Sequence, residues 1–314
     1  MTTSTVGDAA LTARPARMGR GPSRNRAEAR AGVLLALPAI IGLVALFILP
    51  LIAAVVISFT DWSLLRDPEW IGVDNYVAMA QDPLILKSLG ITFYYAIFSV
   101  PVSIVAALLI ATLLNQNVRA HRLWVLLFYL PSILPLVAIV ILFLWLLEPN
   151  FGIVNAALAQ VGIEGPDWFG DPALVIPSFV LMNLWGAGGG ALIFLAARRG
   201  IPMDLYEAAR LDGASAFRQF RSITLPMLTP VIMFTLIIGI TGALQTFAQG
   251  FLLGGSSQSN ALFFNLYLYQ NAFQNGRMGY ASAMALLLFM VTLIITAVTF
   301  RSSTVWVFYE SNRK

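Results

Sequence analysis

Charged residues fall in blocks along this chain. Between them lie six stretches with none: 31–60, 88–118, 123–147, 172–197, 222–276 and 278–300. Each can supply the roughly 20 apolar residues that an α-helix needs to cross a hydrocarbon core of about 30 Å. The pattern predicts spans near Gly32–Phe59, Ser88–Leu114, Leu123–Leu147, Pro172–Ala197, Leu225–Gln249 and Gly279–Phe300. The fifth stretch is long enough for two spans. Its centre, Gly254-Gly255-Ser256-Ser257-Gln258-Ser259-Asn260, is turn chemistry, and the piece from Ala261 to Phe273 is short and carries Asn265, Gln270 and Asn271. It reads as one span and then an external loop with an interfacial or re-entrant segment, where Tyr267 and Tyr269 suit a membrane interface. The expectation is an all-α polytopic membrane protein with six transmembrane helices.

Composition agrees with the pattern. Of 314 residues, 59% are hydrophobic and 11% charged, against about 45–50% and about 25% in soluble domains. Such a chain has too little polar surface to face water on all sides, which makes the bilayer its solvent. A net charge of +4 is too small for a nucleic-acid binder, and its placement carries the information. The N-terminal tail holds Arg14, Arg17, Arg20, Arg24, Arg26 and Arg30. The 115–122 turn has Arg119 and Arg122, the 198–221 loop has Arg198, Arg199, Arg210, Arg218 and Arg221, and the C-terminal tail has Arg301, Arg313 and Lys314. The alternate loops carry just Arg66, Lys87 and Arg277, and 148–171 has Glu148, Glu164, Asp167 and Asp171. Sixteen basic residues against three predict both termini in the cytoplasm and an even number of spans. The apolar run that follows residue 30 exceeds the 7–15-residue core of a signal peptide and reads as a retained anchor. The tail before it, with Pro15 and Pro22, is expected to be flexible. Its arginines either set topology and touch anionic lipid or serve a specific partner.

Candidate chemistry is sparse. There is no cysteine, and His121 is the single histidine, so thiol chemistry and Cys-type zinc sites are excluded and a histidine-based centre is not expected. No predicted span has an ionisable residue in its interior, the usual mark of proton- and ion-coupled transporters. Gly186, Gly188, Gly189 and Gly190 form a glycine-rich run. It is no phosphate loop, because no Gly-Lys-Ser/Thr follows and no strand precedes. It serves either close helix–helix contact or a smooth or unwound lining of a solute path. Pro38, Pro50, Pro101, Pro131, Pro135, Pro177 and Pro230 would each kink or end a helix.

The most informative segment runs from Pro202 to Pro230, PMDLYEAARLDGASAFRQFRSITLPMLTP. It holds two short helical patterns split by a glycine. Pro202 can open the first, with Asp204 and Glu207 near its positive end. Leu205, Ala208 and Ala209 make one small apolar face. Gly213 permits the positive φ of a tight helix–turn–helix, and Ser215 can N-cap the second pattern. A mere linker has no need of such construction. A small apolar face beside charges suits a groove on another protein; the alternative is a helix lying on lipid.

Here the sequence resembles the permease subunits of bacterial ATP-binding-cassette importers. Glu207-Ala208-Ala209, then Gly213 after three residues, then Ile223, Leu225 and Pro226 match their EAA signature in full. Further likeness to maltose-type sugar permeases lies in Ile48-Leu49-Pro50-Leu51, Trp70-Ile71-Gly72-Val73-Asp74-Asn75-Tyr76, Leu130-Pro131-Ser132-Ile133-Leu134-Pro135, Gly152-Ile153-Val154-Asn155 with Gly162, and Gly279-Tyr280-Ala281-Ser282-Ala283-Met284. Two features depart from the family. The loop after the fifth span lacks the proline of the usual Gly-Gly-Pro, and Arg198-Arg199 is unusual just before the coupling segment.

The resemblance implies a type I importer transmembrane domain. It implies a tail at 1–30, a first helix and external loop at 31–87, a core of five helices at 88–301 with a coupling helix at about 202–222, and a cytoplasmic tail at 302–314. ATPase coupling would rest on Glu207, Ala208, Ala209, Asp212, Gly213, Ile223, Leu225 and Pro226. The implied partners are a second, homologous permease, a dimeric cytoplasmic ATPase, an extracytoplasmic solute-binding protein and membrane lipid, with no nucleic acid. The chain itself would bind no cofactor or metal and be no enzyme, since ATP and magnesium belong to the partner ATPase. Counted from the signature, solute contacts would fall near Met182, Asn183, Gly186, Gly189, Gly242, Gln245 and Thr246, although Asn183 and Gln245 could equally serve interhelical hydrogen bonds. No charge lines these spans, which suits a sugar, oligosaccharide or polyol better than a phosphate ester. The rivals are a permease of the same superfamily for glycerophosphodiesters or peptides and a self-sufficient secondary transporter.

Overall fold

The computed structural model describes residues 22–116, 119–255 and 260–308. Residues 256–259 of the expected turn, with Arg14, Arg17, Arg20, Arg313 and Lys314, lie outside the described residues. The chain divides after Ala53 into two units.

The first unit holds α1 (Pro22–Leu43), a π-helical turn (Val44–Ile48) and the start of α2 (Leu49–Ser58). α1 begins at Pro22, inside the segment 1–30 expected to be a flexible tail. Proline suits a first helical position, where its missing N–H loses no bond, and the Ala, Arg and Glu that follow are good helix formers. The π turn sits just ahead of Pro50. Proline there removes the bond to the carbonyl of Leu46 and crowds it, and a wider turn absorbs both effects. Ala29–Ser58 is long and apolar enough to cross a membrane.

The second unit opens on a small hairpin, β1 (Thr60–Asp61) with β2 (Glu69–Trp70), and a short helix, α3 (Asp74–Gln81). The Trp70–Tyr76 motif ties this loop down. Trp70 stacks on Phe59 at 5.5 Å, Asn75 donates to the carbonyls of Ser58 and Thr60, each at 2.9 Å, and Tyr76 bonds Ser58 through its hydroxyl at 2.7 Å. α4 (Pro83–Leu114) follows, N-capped by Asp82, whose Oδ1 accepts the Leu84 N–H at 2.9 Å.

The next two spans are broken. α5 (His121–Ile133) and α6 (Leu136–Leu146) meet at 97°. Leu134 is extended, with ψ of 142°, because the residue before a proline avoids the helical region. α7 (Ile153–Gln160) lies in the following loop. There Asn155 donates to the carbonyls of Pro149 and Pro166 and accepts from Trp168 Nε1 at 2.8 Å. Glu148 accepts the N–H groups of Asn150 and Phe151. Desolvation pushes its carboxyl up, but these bonds outweigh it and hold the group below the usual carboxylate range. α8 (Val175–Trp185) and α9 (Gly188–Arg199) bend by 49° at Gly186 and Ala187.

After α10 (Met203–Leu211), α11 (Ala216–Gln219) runs through a π turn (Phe220–Thr224) into α12 (Leu225–Leu244) and α13 (Ala248–Leu252). Ala216–Leu252 is one 37-residue span. The second pattern of the loop is thus the foot of the fifth span rather than a separate helix, because the π turn takes up Pro226 without a break. α14 (Phe264–Tyr269) and a π turn (Gln270–Gln274) lead to α15 (Met278–Trp306). Among the described residues four helices are long and apolar enough to cross a membrane, and there are six when each bent pair counts as one.

α14 settles the question of the fifth stretch. Ala261, Leu262, Phe263 and Phe264 are completely buried, and the Phe264 N–H donates to Thr92 Oγ1 at 2.9 Å. Thr92 lies ten residues, about 15 Å, inside α4. At the other end of α14 the Tyr267 hydroxyl donates to Asp82, which also accepts from Tyr280 at 2.8 Å. The segment packs in the core with Tyr95, Phe179 and Met284, and the Tyr267 hydroxyl is held by a carboxylate.

Candidate functional site

α4 runs through the middle of the second unit, and α8, α9, α12 and α14 pack on it. Between α4, the α8–α9 bend and α12 lies a cavity of about 430 Å³. Small residues let the helices approach. A Cβ on Gly239 would stand 2.9 Å from Val100, and one on Gly190 would stand 3.2 Å from Ala107. Facing the space are the hydroxyls of Tyr95, Ser99, Ser103, Thr235 and Thr246 and the amides of Asn183 and Gln249, amid apolar side chains. No lining residue carries a charge.

The polar groups are partly organised among themselves. Asn183 Nδ2 donates to Ser99 Oγ at 2.7 Å and to Ser103 Oγ at 2.9 Å. Both serines accept in these bonds, which leaves their hydroxyl protons to point elsewhere. Gln249 is 7% exposed, and its Oε1 has no hydrogen-bond partner among the described residues. A buried amide oxygen without a donor costs roughly 1–3 kcal/mol, and a hydroxylated guest would remove that cost.

Of the solute contacts expected from the resemblance, Asn183, Gly186, Gly242 and Thr246 line this cavity. Met182, Gly189 and Gln245 do not. Met182 is buried in the core at 2% exposure, a Cβ on Gly189 would meet Ser132 at 3.1 Å, and Gln245 caps α12 while its carbonyl accepts from Asn265. The glycine run divides between helix contact and cavity lining. Gly188 and Gly189 seat α9 against α5, a Cβ on Gly188 falling 1.7 Å from the Phe128 carbonyl oxygen, whereas Gly186 and Gly190 face the cavity. Tyr95, Ser99, Ser103 and Gln249 are additions that sequence reasoning misses. Their signal is present as hydroxyls and an amide in apolar spans, but nothing in the spacing says that they meet.

The second candidate region is the loop between α9 and α12. Every residue of α10 is at least partly exposed, including Met203 at 62% and Leu211 at 90%, with Phe217 of α11 at 73%. The turn is built by the signature itself. Gly213 takes φ of +74°, its N–H donates to the Arg210 carbonyl and the Ala214 N–H donates to the Ala209 carbonyl at 2.8 Å. These two bonds close the helix end. Ser215 accepts the Arg218 N–H and caps α11, and Gln219 returns to the Ala214 carbonyl at 2.9 Å. Tyr206 reaches Thr224 at 2.8 Å, which fixes α10 to the foot of the fifth span; the loop's pattern gives no sign of that bond. Glu207, Ala208, Asp212 and Gly213 face outward, while Ala209, Ile223, Leu225 and Pro226 are half-buried. The motif thus supplies a rigid, exposed, partly apolar projection.

Comparison with known proteins gives this geometry its context. Residues 99–303 match the family described as binding-protein-dependent transport system inner membrane component. A probable ABC transporter permease protein of Bacillus subtilis, YesP, is 36% identical over 92% of this chain and 95% of its own. The sulfoquinovosyl glycerol transport system permease protein SmoG of Agrobacterium fabrum is 34% identical, over 86% and 89%. Among solved structures, a bacterial ABC transporter involved in the import of the acidic polysaccharide alginate superposes with a TM-score of 0.76 at 25% identity, covering 89% of this chain and 97% of that one. Four apolar helices long enough to cross a membrane and two bent pairs among the described residues, an exposed loop closed by the EAA signature and a family match over residues 99–303 make this chain a multi-pass membrane permease belonging to the binding-protein-dependent transport system inner membrane components.

Proposed function

We propose that this chain forms, with a second homologous permease, the translocation path of an ATP-driven importer for a neutral carbohydrate. The observation that carries this reading is the cavity between α4, α8–α9 and α12, lined by hydroxyls and amides without a charge. Neutral hydroxyl-rich solutes need such donors and acceptors set in an apolar wall. SmoG and the alginate transporter support glycosides as the class. An acidic solute such as alginate would need a cation that no lining residue here provides.

In this reading the loop around α10 docks on a cytoplasmic ATPase. Met203, Leu205, Leu211 and Phe217 seat it, and Glu207 pairs with a cation. Both termini are cytoplasmic, and an extracytoplasmic binding protein delivers solute to the opposite side. ATP with magnesium binds on the partner, and this chain supplies rigid-body transmission through the Tyr206–Thr224 bond.

Uptake by the complex assembled with its second permease, ATPase and binding protein tests the cavity. Asn183→Leu releases Ser99 and Ser103, and Gln249→Leu removes the unpartnered acceptor. Each should weaken solute stimulation by roughly 5- to 140-fold, from about 1–3 kcal/mol of lost hydrogen bonding, while the chain still assembles. Wild-type uptake in both variants, or preference for a phosphorylated over a neutral glycoside, would refute the assignment.

A further inference from the structure

α5 and α9 touch at Gly188 and Phe128 and part toward the N-terminal end of α5. Where they part lies a second cavity, about 460 Å³, whose make-up is unlike that of the first. Its lining is His121, Arg122 and Val125 from α5 with Leu192, Leu195, Ala196 and Arg199 from α9. Three of the seven are basic, none is acidic and the other four are aliphatic. Of the Arg198-Arg199 pair that departs from the family pattern, Arg199 lies here, beside the single histidine of the chain.

The basic groups are arranged. Arg199 Nη2 stands 3.2 Å from His121 Nε2. A guanidinium only donates, so Nε2 is the acceptor and the ring proton sits on Nδ1. That leaves the Nδ1–H, the remaining guanidinium N–H groups of Arg199 and the fork of Arg122 as donors for an anion. Beside them, Leu123, Trp124, Leu126 and Leu127 of α5 are each about half exposed, an apolar flank of the kind that meets acyl chains.

We propose that this cavity binds the phosphate of an anionic phospholipid headgroup, with its chains on the exposed apolar flank of α5. Charge complementarity chooses an anion, since two guanidinium groups and an imidazole N–H offer donors and net positive charge with no acid among the lining residues to balance it. The aliphatic lining and its place at the ends of two membrane helices choose a lipid over a soluble phosphate. Basic pockets between helices on the cytoplasmic side are suited to such headgroups. The assignment of this end to the cytoplasmic leaflet rests on the topology proposed above; the binding itself needs neither transport nor the ATPase, so failure of the transport reading leaves it standing.

The test uses the full chain in phosphatidylcholine nanodiscs doped with photoactivatable phosphatidylglycerol or photoactivatable phosphatidylcholine. Cross-linked peptides covering 119–127 and 192–199 are then quantified. The anionic probe should label these segments about tenfold more than the zwitterionic one. Arg122→Gln with Arg199→Gln should bring the two probes level, whereas Arg122→Lys with Arg199→Lys should keep most of the preference. Unlabelled phosphatidylglycerol should compete in the wild type, and 10 mM inorganic phosphate should not. Equal labelling by both probes, an unaltered preference in the glutamine variant, or displacement by inorganic phosphate would overturn the proposal. So would loss of labelling on assembly with the partner chains, which would make the cavity a protein contact.

Discussion

Gly213 and Glu207 sit six residues apart in one signature and fail in different ways when changed. Gly213 holds φ at +74°, and a Cβ added there would meet nothing within 4 Å. A substitution thus causes no clash, and its cost is backbone strain alone. Gly213→Val would strain the turn by about 1–3 kcal/mol and weaken the closing bonds from Gly213 and Ala214. Glu207 is exposed, and the turn depends on no bond from its side chain, so its change spares the fold. If it meets a cation on the ATPase, Glu207→Lys should cost roughly 2–5 kcal/mol of association, at least about 30-fold in affinity. Both variants should insert normally. Pull-down of the ATPase should fall steeply for Glu207→Lys, while for Gly213→Val the main loss should be solute-stimulated turnover. Unchanged association in Glu207→Lys would favour the loop lying on anionic lipid, where lysine is welcome. The signature is legible in the sequence because its work is local: a helix end, a cap and a left-handed glycine lie within a few residues. The cavity is legible only in part. Asn183 lies 84 residues from its partner Ser99, and no spacing rule reaches that far.

Elements show where proline and glycine act on packing. Pro131 and Pro135 are residues that should kink the third span, and the outcome is a 97° turn between α5 and α6. The size of that turn depends on neighbours that the pattern does not contain. At the start of α15 the restriction is steric. A Cβ on Gly279 would lie 1.9 Å from the Thr60 carbonyl oxygen, and the Gly279 and Met278 N–H groups both donate to the Trp62 carbonyl. Gly279→Val should therefore push the hairpin loop off the last span and lower stability by more than about 3 kcal/mol, beyond an ordinary surface change. Thermal denaturation of the purified chain in detergent measures it, and a loss under about 1 kcal/mol would contradict the packing. The motif around Gly279 resembles a family pattern without giving its reason; the reason is this contact with a loop more than 200 residues earlier in the chain.

At the scale of the whole molecule, the alternation of basic residues makes a prediction about sidedness. Reporter fusions at residues 160 and 260 should report outside, and fusions at 210 and 314 inside. A fusion at 314 that reports outside would break the six-span arrangement. The six-span arrangement counts each bent pair as one span. α14, six residues long, adds no span, so Ala216–Leu252 and Met278–Trp306 remain the last two helices long and apolar enough to cross a membrane.

What the sequence by itself determined is what depends on local chemistry and on solvent. Charge-free stretches decide the spans because a charge in hydrocarbon is expensive, wherever the helix packs. The EAA loop is decided by hydrogen bonds within one turn. Tertiary structure decided whatever depends on which helices meet. It put Ser99 and Ser103 under Asn183 and left Gln249 Oε1 without a donor among the described residues. It removed Met182, Gly189 and Gln245 from the cavity and buried the 261–264 segment against α4. It also brought His121 and Arg122 opposite Arg199. Side chains of these kinds are common in membrane helices, and their meaning is set by a neighbour tens of residues away, because packing is decided by the close approach of small residues across helices and not by the order of residues along one.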